Sequence, residues 1–349
     1  MAGSVAKRVR YWLHRAARVD LRRAFDRARR VSAESGRPLP LVVADMAWCA
    51  VRYEAGYHDY HGFQFHLLDA AARRSVLTYA RANSLVQQVN PIEHRRKFWD
   101  KREFNRLFAA HLGRDWLDVE RATASSVEAF LRERGTIVAK PIGTDAGVGI
   151  ERIRLDDVGD PAALRDQLLA AGQVLIEEEI RQHPDLDRLA PDSVNCLRVI
   201  TFRDGDEVHV LDQVLKLGTG AFVDNLLAGG LYTVLDDTGR ARWPAVSKDL
   251  DVVHEHPVTA EPIPGFRVPQ YDEVLDLVDR LARVVPEIPY VGWDIAITPD
   301  GPVVVEGNYN TGVYWMPPSI TGERQGSLPR YLETMGLADR RPRSAEVVG

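Results

Sequence analysis

From about Thr136 onward the chain is written in short β-branched runs that pair across turn signals, and this pattern constrains the fold more than any other feature. Thr136 to Ala139, Ile150 to Leu155 and Val174 to Ile176 are single runs. Leu197 to Phe202 and Val208 to Leu217 flank Asp204-Gly205, a hairpin turn pair. Leu231 to Leu235 and Ala241 to Ala245 flank Asp237-Thr238-Gly239. A last hairpin runs Trp293 to Thr298, turns at Pro299-Asp300-Gly301-Pro302, and returns as Val303 to Glu306. Between them, Val274, Leu275, Leu277, Val278 and Leu281 give residues 269–285 the spacing of a helix. Mostly antiparallel strand pairs separated by helices predict an α+β fold, not a doubly wound parallel sheet.

Residues 1–90 read as mainly helical, with helices predicted over Leu41 to Tyr53 and Phe63 to Asn83. The expected organisation is a helical domain over 1–90, two α+β subdomains over 91–177 and 178–336, and a frayed tail over 337–349. With 349 residues and 45% hydrophobic side chains, the chain has enough apolar material for two or three cores. A net charge of -5 and the lack of a basic stripe with interleaved aromatics predict no nucleic-acid partner. Cys49 and Cys196 stand far apart in apolar surroundings, which fits neither a disulfide framework nor a zinc site and suits a reducing cytoplasm. No apolar run reaches spanning length and no export signal is read, so the expected location is cytoplasmic.

One local asymmetry stands against this even background. Residues 1–30 carry ten Lys or Arg and two Asp, with Trp12, Leu13, Val19 and Phe25 among them. The ordinary reading is a solvated helix packing one stripe on its own domain; the sharper one is a weak contact with an anionic membrane surface. Four aromatic residues and three histidines crowd residues 57–66, but their spacing matches no metal motif and reads as a helix-entry cluster. His254 and His256 read as a solvated loop.

The chemistry-bearing residues lie mostly on the predicted strands. In the last hairpin Glu306 and Asn308 share a face, and counting back across the turn puts Asp294 roughly opposite Glu306. Facing carboxylates repel unless a cation lies between them, and two carboxylates with an amide suit magnesium bridging nucleotide phosphates. Lys140 ends an apolar run and leads into Gly143, Thr144, Asp145, Ala146, Gly147, Val148 and Gly149. Such a loop lets backbone N–H groups approach phosphate oxygens while the lysine adds a point charge. It is not a Walker A loop, since no Gly-Lys-Ser/Thr closes it and no helix follows. Glu177, Glu178, Glu179 and Ile180 follow another strand, with Glu177 and Glu179 pointing one way and Glu178 the other. Arg198 and Lys216 interrupt two neighbouring apolar strands, where they either snorkel or stabilise charge developing in phosphoryl transfer. Asn225 and Gly229-Gly230 follow in a loop suited to approach a substrate.

Taken in order, Trp99-Asp100-Lys101-Arg102-Glu103-Phe104, Lys140 with its glycine-rich loop, residues 177–180, Asp294 and Glu306-Gly307-Asn308 resemble the ATP-grasp superfamily over residues 91–335. Gln182-His183-Pro184, Ser193-Val194-Asn195-Cys196-Leu197-Arg198-Val199 and Asp59-Tyr60-His61-Gly62-Phe63 resemble its sugar-transfer-associated branch, related to glutamate-ligase-like proteins. The resemblance implies an ATP-grasp fold, two α+β subdomains clasping ATP, behind a helical N-terminal domain. It implies that Lys101 and Lys140 contact phosphate and that residues 143–149 close over it. It further implies that residues 177–180 meet adenine, with Glu178 and Ile180 contributing backbone. Asp294, Glu306 and Asn308 fall on the magnesium ligands, with manganese an alternative ion, and Arg198 and Lys216 fall near the transferring phosphoryl group.

The sequence also departs from the pattern. Where D-alanine–D-alanine ligases carry an arginine two residues before the first metal aspartate, this chain has Gly292, which leaves Arg198 or Lys216 to supply the charge. The usual α/β N-terminal domain is replaced by a helical one. Asp185 and Asp187 are the candidates for the ribose-binding acid, and the stretch from Tyr309-Asn310-Thr311-Gly312 to Arg324-Gln325 either lines the acceptor site or caps it. The resemblance implies a ligase joining a small carboxylate to an amine through an acyl phosphate. The alternatives are a kinase acting on a small-molecule hydroxyl and a non-catalytic nucleotide-binding regulatory protein.

Overall fold

In the computed structural model the described residues are 20–338, less 144–147, 221, 223, 225, 227 and 228. Thr144, Asp145, Ala146, Gly147 and Asn225, most of the basic lead and the tail from residue 339 therefore lie outside the described residues.

The chain divides into two compact units. One holds the residues up to Leu85 together with those from Trp315 on; the other spans Val86–Tyr314. The first unit is helical. Helix Leu21–Ser35 is capped by Asp20, whose carboxylate accepts from the Arg23 backbone N–H, and ends at Gly36 in a left-handed conformation. Three residues later helix Leu39–Tyr53 begins and packs back on it. The expected single helix over Phe63 to Asn83 is instead three pieces: a 3₁₀ turn at Phe65–Leu67, a helix at Ala70–Ser75 and a helix at Tyr79–Val89. Local caps break it. Asp69 accepts from the backbone N–H groups of Ala71 and Ala72, and Asp59 accepts from those of Gly56 and Tyr79. Side chains that offer the backbone such bonds compete with helix continuation.

The same unit contains the crowded 57–66 segment, with Asp59, Tyr60, His61 and His66 buried. Arg73 makes a two-pronged ion pair with Asp45, which also accepts from the Tyr60 hydroxyl. No group of three His, Cys, Asp or Glu suited to a metal occurs among the described residues. The C-terminal return is tied down by Ser319, which bonds Gln64, and by the Gly326 N–H, which donates to the Ser75 hydroxyl.

The second unit holds eleven strands in two sheets among the described residues. The smaller comprises β1 (Trp116–Asp118), β2 (Thr136–Pro141), β3 (Glu151–Arg154) and β4 (Gln173–Glu178), in the order β1-β4-β2-β3. The larger comprises β5 (Leu197–Asp204), β6 (Glu207–Leu217), β7 (Leu231–Val234), β8 (Ala245–Val246), β9 (Val252–Val253), β10 (Tyr290–Thr298) and β11 (Gly301–Asn308), in the order β11-β10-β5-β6-β7-β8-β9. Every strand pair is antiparallel, where the sequence predicts mostly antiparallel pairing.

Each sheet is apolar on one face, and that alternation positions the site. In the small sheet Ile137, Ala139 and Ile176 pack under helices Ala124–Arg134 and Leu164–Ala170, which leaves Lys140 and Glu177 on the other face. In the large sheet Leu197, Val199, Leu215, Val291, Trp293 and Ile295 meet helix Tyr271–Val284, as the spacing of its apolar residues predicts. Arg198, Lys216, Asp294, Glu306 and Asn308 therefore fall on the opposite face. The buried Asn195 side chain braces the start of β5: it donates to Gln182 and Ala190 and accepts from the Gly218 N–H.

Candidate functional site

The facing of Asp294 and Glu306 depends on one irregularity. Thr298 pairs with Gly301 and Ile295 with Val304, so strict alternation would set Asp294 against Val305 and Glu306 against the core residue Trp293. A bulge takes up Val305 as an extra residue, and Asp294 pairs with Glu306 instead. Gly292 then pairs with Asn308, and the Asn308 amide donates to Glu306 Oε1 at 3.1 Å.

Asp294 is buried and heavily compensated. Arg198, directly across on β5, donates from Nε to Oδ1 at 2.5 Å and from Nη2 to Oδ2 at 2.8 Å. Its third prong reaches the Thr311 hydroxyl at 2.8 Å. Lys216 Nζ lies 3.2 Å from Asp294 Oδ2 and 3.4 Å from Asp224 Oδ1. Burial alone would raise the Asp294 pKa, but the charges of Arg198 and Lys216 outweigh it and hold the carboxyl well below the usual range. For Lys216, burial is likewise overcome by Asp224 and Asp294, which push its pKa up.

Gly292 matters by its lack of a side chain. A Cβ there would lie 2.3 Å from Thr311 Oγ1 and 3.1 Å from Arg198 Cδ. The position cannot hold an arginine because the Thr311 side chain fills the space a Cβ would take, with Arg198 from the neighbouring strand next to it.

A second cluster forms on the small sheet. Lys140 Nζ is 2.5 Å from Glu177 Oε2, which also accepts from Arg114 Nε at 2.8 Å. Asn105 donates to the other oxygen, Oε1, at 2.7 Å. Burial would raise the Glu177 pKa; Arg114 and then Lys140 reverse that and hold it below the ordinary range. Lys101 opens helix Lys101–Leu107, and Asn105, which meets Glu177, stands four residues on along the same helix face. Glu178 lies near Arg134, and Glu179 pairs with Arg152 at 2.6 Å. Gly143 rests against the Trp99 indole, and Val148 is exposed.

Arg114 joins the clusters. While bound to Glu177 it donates to the Val304 carbonyl at 2.7 Å and to the Val305 carbonyl at 3.2 Å, at the bulge itself. Behind Glu306 and Asn308, Gly307 turns to the core face, where a Cβ would lie 2.9 Å from the Phe98 ring and 3.0 Å from that of Phe104. The aromatic residues on either side of Lys101 thus abut the strand that carries Glu306.

Arg114, Asn105, Asp224 and Thr311 complete the arrangement, and sequence reasoning gave none of them a role in these ion pairs. Thr311 belongs to the stretch from Tyr309 to Gln325, for which the sequence offers only an acceptor-site lining or a cap. Arg114 and Asn105 follow no strand pattern, and the sequence places their partner Glu177 only in the 177–180 segment, on the same side as Glu179. His256, expected in a solvated loop, is instead buried, and its Nε2 lies 2.6 Å from the Gly218 carbonyl just past β6.

Asp294 and Glu177 share a consequence for stability. Their folded pKa values are depressed, so the stabilisation they contribute is fully present above the unfolded carboxylate pKa of about 4 and is lost as pH falls below it. Urea midpoints should hold steady from pH 7 to about pH 5 and then drop. A midpoint that rises on acidification would contradict these charge assignments.

Comparison with known proteins agrees with this arrangement. A family model described as sugar-transfer associated ATP-grasp matches residues 80–323. A glutathione synthetase of Parasynechococcus marenigrum (strain WH8102) is 27% identical over 190 residues, 53% of this chain and 52% of that protein. The chain thus spans about half the length of that curated relative. Among solved structures, the ATP-grasp ligase PsnB complexed with precursor peptide PsnA2 and AMPPNP is 16% identical, with a TM-score of 0.41 over 72% of this chain and 63% of that one. The D-cycloserine synthetase DcsG is 16% identical, with a TM-score of 0.40 over 80% and 81%. The family match over residues 80–323, most of the length, shows that the chain belongs to the sugar-transfer associated ATP-grasp family.

Proposed function

We propose that the protein is an ATP-dependent carboxylate–amine ligase. The observation that carries this reading is the direct pairing of Asp294 with Glu306 on the face that also bears Arg198 and Lys216. Two carboxylates and the Asn308 amide are a hard-oxygen donor set that fits magnesium, or manganese, with room in its shell for phosphate and water oxygens. When bound, the ion neutralises charge on the nucleotide phosphates. Kinship with a protein named glutathione synthetase supports a ligase outcome.

Each residue has a stated task. Lys140, Lys101 and the loop 143–149 hold the phosphates, and the backbone at Glu178 and Ile180 meets the adenine edge. A substrate carboxylate oxygen bonds to the γ-phosphorus as the bond to the bridging oxygen of ADP breaks, giving an acyl phosphate and ADP. The amine lone pair then attacks the acyl carbon and inorganic phosphate departs, with the amine proton passing to phosphate or water. Arg198 and Lys216 stabilise the charge on the transferring group and on the tetrahedral oxyanion, and the chain supplies no covalent nucleophile. The partners are a small carboxylic acid and an amine.

Hydroxylamine supplied in place of the amine tests the reaction class. A ligase converts its acid substrate to the hydroxamate with stoichiometric ADP. Magnesium-dependent ADP formation with no hydroxamate from any acid would replace this reading with phosphoryl transfer to a hydroxyl.

A further inference from the structure

The helical unit carries an unusual concentration of exposed apolar side chains. Of the fifteen large exposed hydrophobics among the described residues, six lie on the hairpin of helices Leu21–Ser35 and Leu39–Tyr53: Leu21, Phe25, Leu41, Val43, Trp48 and Val51. Leu21 is 76% exposed, Leu41 64%, Val51 63% and Trp48 57%, so they are not grazing the surface of a core. On the second helix Leu41, Trp48 and Val51 follow one face at spacings of seven and three, with Arg52 four residues beyond Trp48. On the first, Leu21, Phe25 and Arg29 stand four apart, and the Arg29 guanidinium lies 4.7 Å from the centre of the Phe25 ring.

Charge follows the same boundary. The described residues of this segment, 20–53, hold seven Arg and no Lys against four Asp or Glu, whereas residues 54–349 hold thirty-three Lys or Arg against forty-six acids. Of those four acids, Asp45 is neutralised by Arg73 from outside the segment, while Asp20 pairs with Arg23 and Glu34 with Arg30. An acidic protein thus carries one helical segment that is both basic and apolar on its surface. A symmetric pairing of two copies through this face would bring two net-positive surfaces together. An anionic bilayer satisfies both halves of the pattern: headgroup phosphates for the guanidinium groups, and the acyl boundary for Trp48 and its apolar neighbours. No helix among the described residues is long and apolar enough to cross a membrane, so contact is made along the surface.

We propose that the exposed face of this helical hairpin docks the protein on an anionic lipid surface. The test uses the full chain, without nucleotide, sedimented with vesicles of phosphatidylcholine with and without phosphatidylglycerol. Binding is expected only to the anionic vesicles and should weaken with added salt. The variant Trp48→Asp/Val51→Asp should lower partitioning by about tenfold or more. Its circular dichroism and ATP turnover should be unchanged, because both positions are solvent-facing and stand outside the nucleotide machinery. The proposal is overturned if the chain ignores anionic vesicles or if the variant binds them as well as the parent. It is also overturned if the parent forms a concentration-dependent dimer that the variant abolishes, since the face would then join copies of the chain. None of the binding outcomes depends on the ligase reading, because the sedimentation is done without nucleotide.

Discussion

Glu306→Ala should reduce magnesium-dependent ADP release by about 10²–10³-fold while leaving the fold intact. The two halves of this expectation have separate physical causes. Glu306 is half-buried and bonded to the Asn308 amide, so its loss should cost no more than about 1 kcal/mol of stability. Removing one of two facing carboxylates also relieves a repulsion, which moves stability the other way. Activity has no such offset, because the metal would lose a charged oxygen donor at the reacting phosphates. Steady-state ADP formation with saturating magnesium, paired with thermal unfolding, checks both halves. Turnover at the parent rate would remove Glu306 from the site.

Arg114→Met is the reverse case, expected to act on stability first. Arg114 is buried and compensates Glu177, and it also supplies the Val304 and Val305 carbonyls. Its removal leaves a buried carboxylate with Lys140 and Asn105 alone, and leaves two carbonyls short of a donor. The expected loss is about 3–5 kcal/mol, read as a shift of the denaturant midpoint. Adding Glu177→Gln should recover part of it, and the double-mutant cycle measures the coupling. Strict additivity would mean that the two side chains do not act as a pair.

How much of this was legible in the sequence depended on whether a residue stood in a periodic element. Lys140, Arg198, Lys216, Asp294, Glu306 and Asn308 are polar interruptions of apolar strands, and alternation assigns each a face before any coordinates exist. Helix Tyr271–Val284 was readable for the same reason, from its 3.6-residue spacing. Arg114 precedes β1 in an irregular segment, and Asn105 sits on a short helix, so neither had a face to be assigned to. Their role follows from Glu177, whose carboxylate is drawn inward by three donors that converge only in the folded chain. The segment Phe63 to Asn83 misled in the other direction: its apolar spacing is helical throughout, but Asp59 and Asp69 bond the backbone and divide it. The pairing of Asp294 with Glu306 was approachable by counting only because the bulge shifts the register by one residue.

That shift makes the last hairpin a device with parity. Upstream of Val305 the two strands run in one phase, with Ile295 against Val304; downstream they run in the other. Losing one residue between the turn and Val305, or gaining one, would rotate the entire acidic edge by half a pleat and drive Glu306 into the layer of Trp293. Length changes there are tolerable in even steps, whereas odd ones turn the strand inside out.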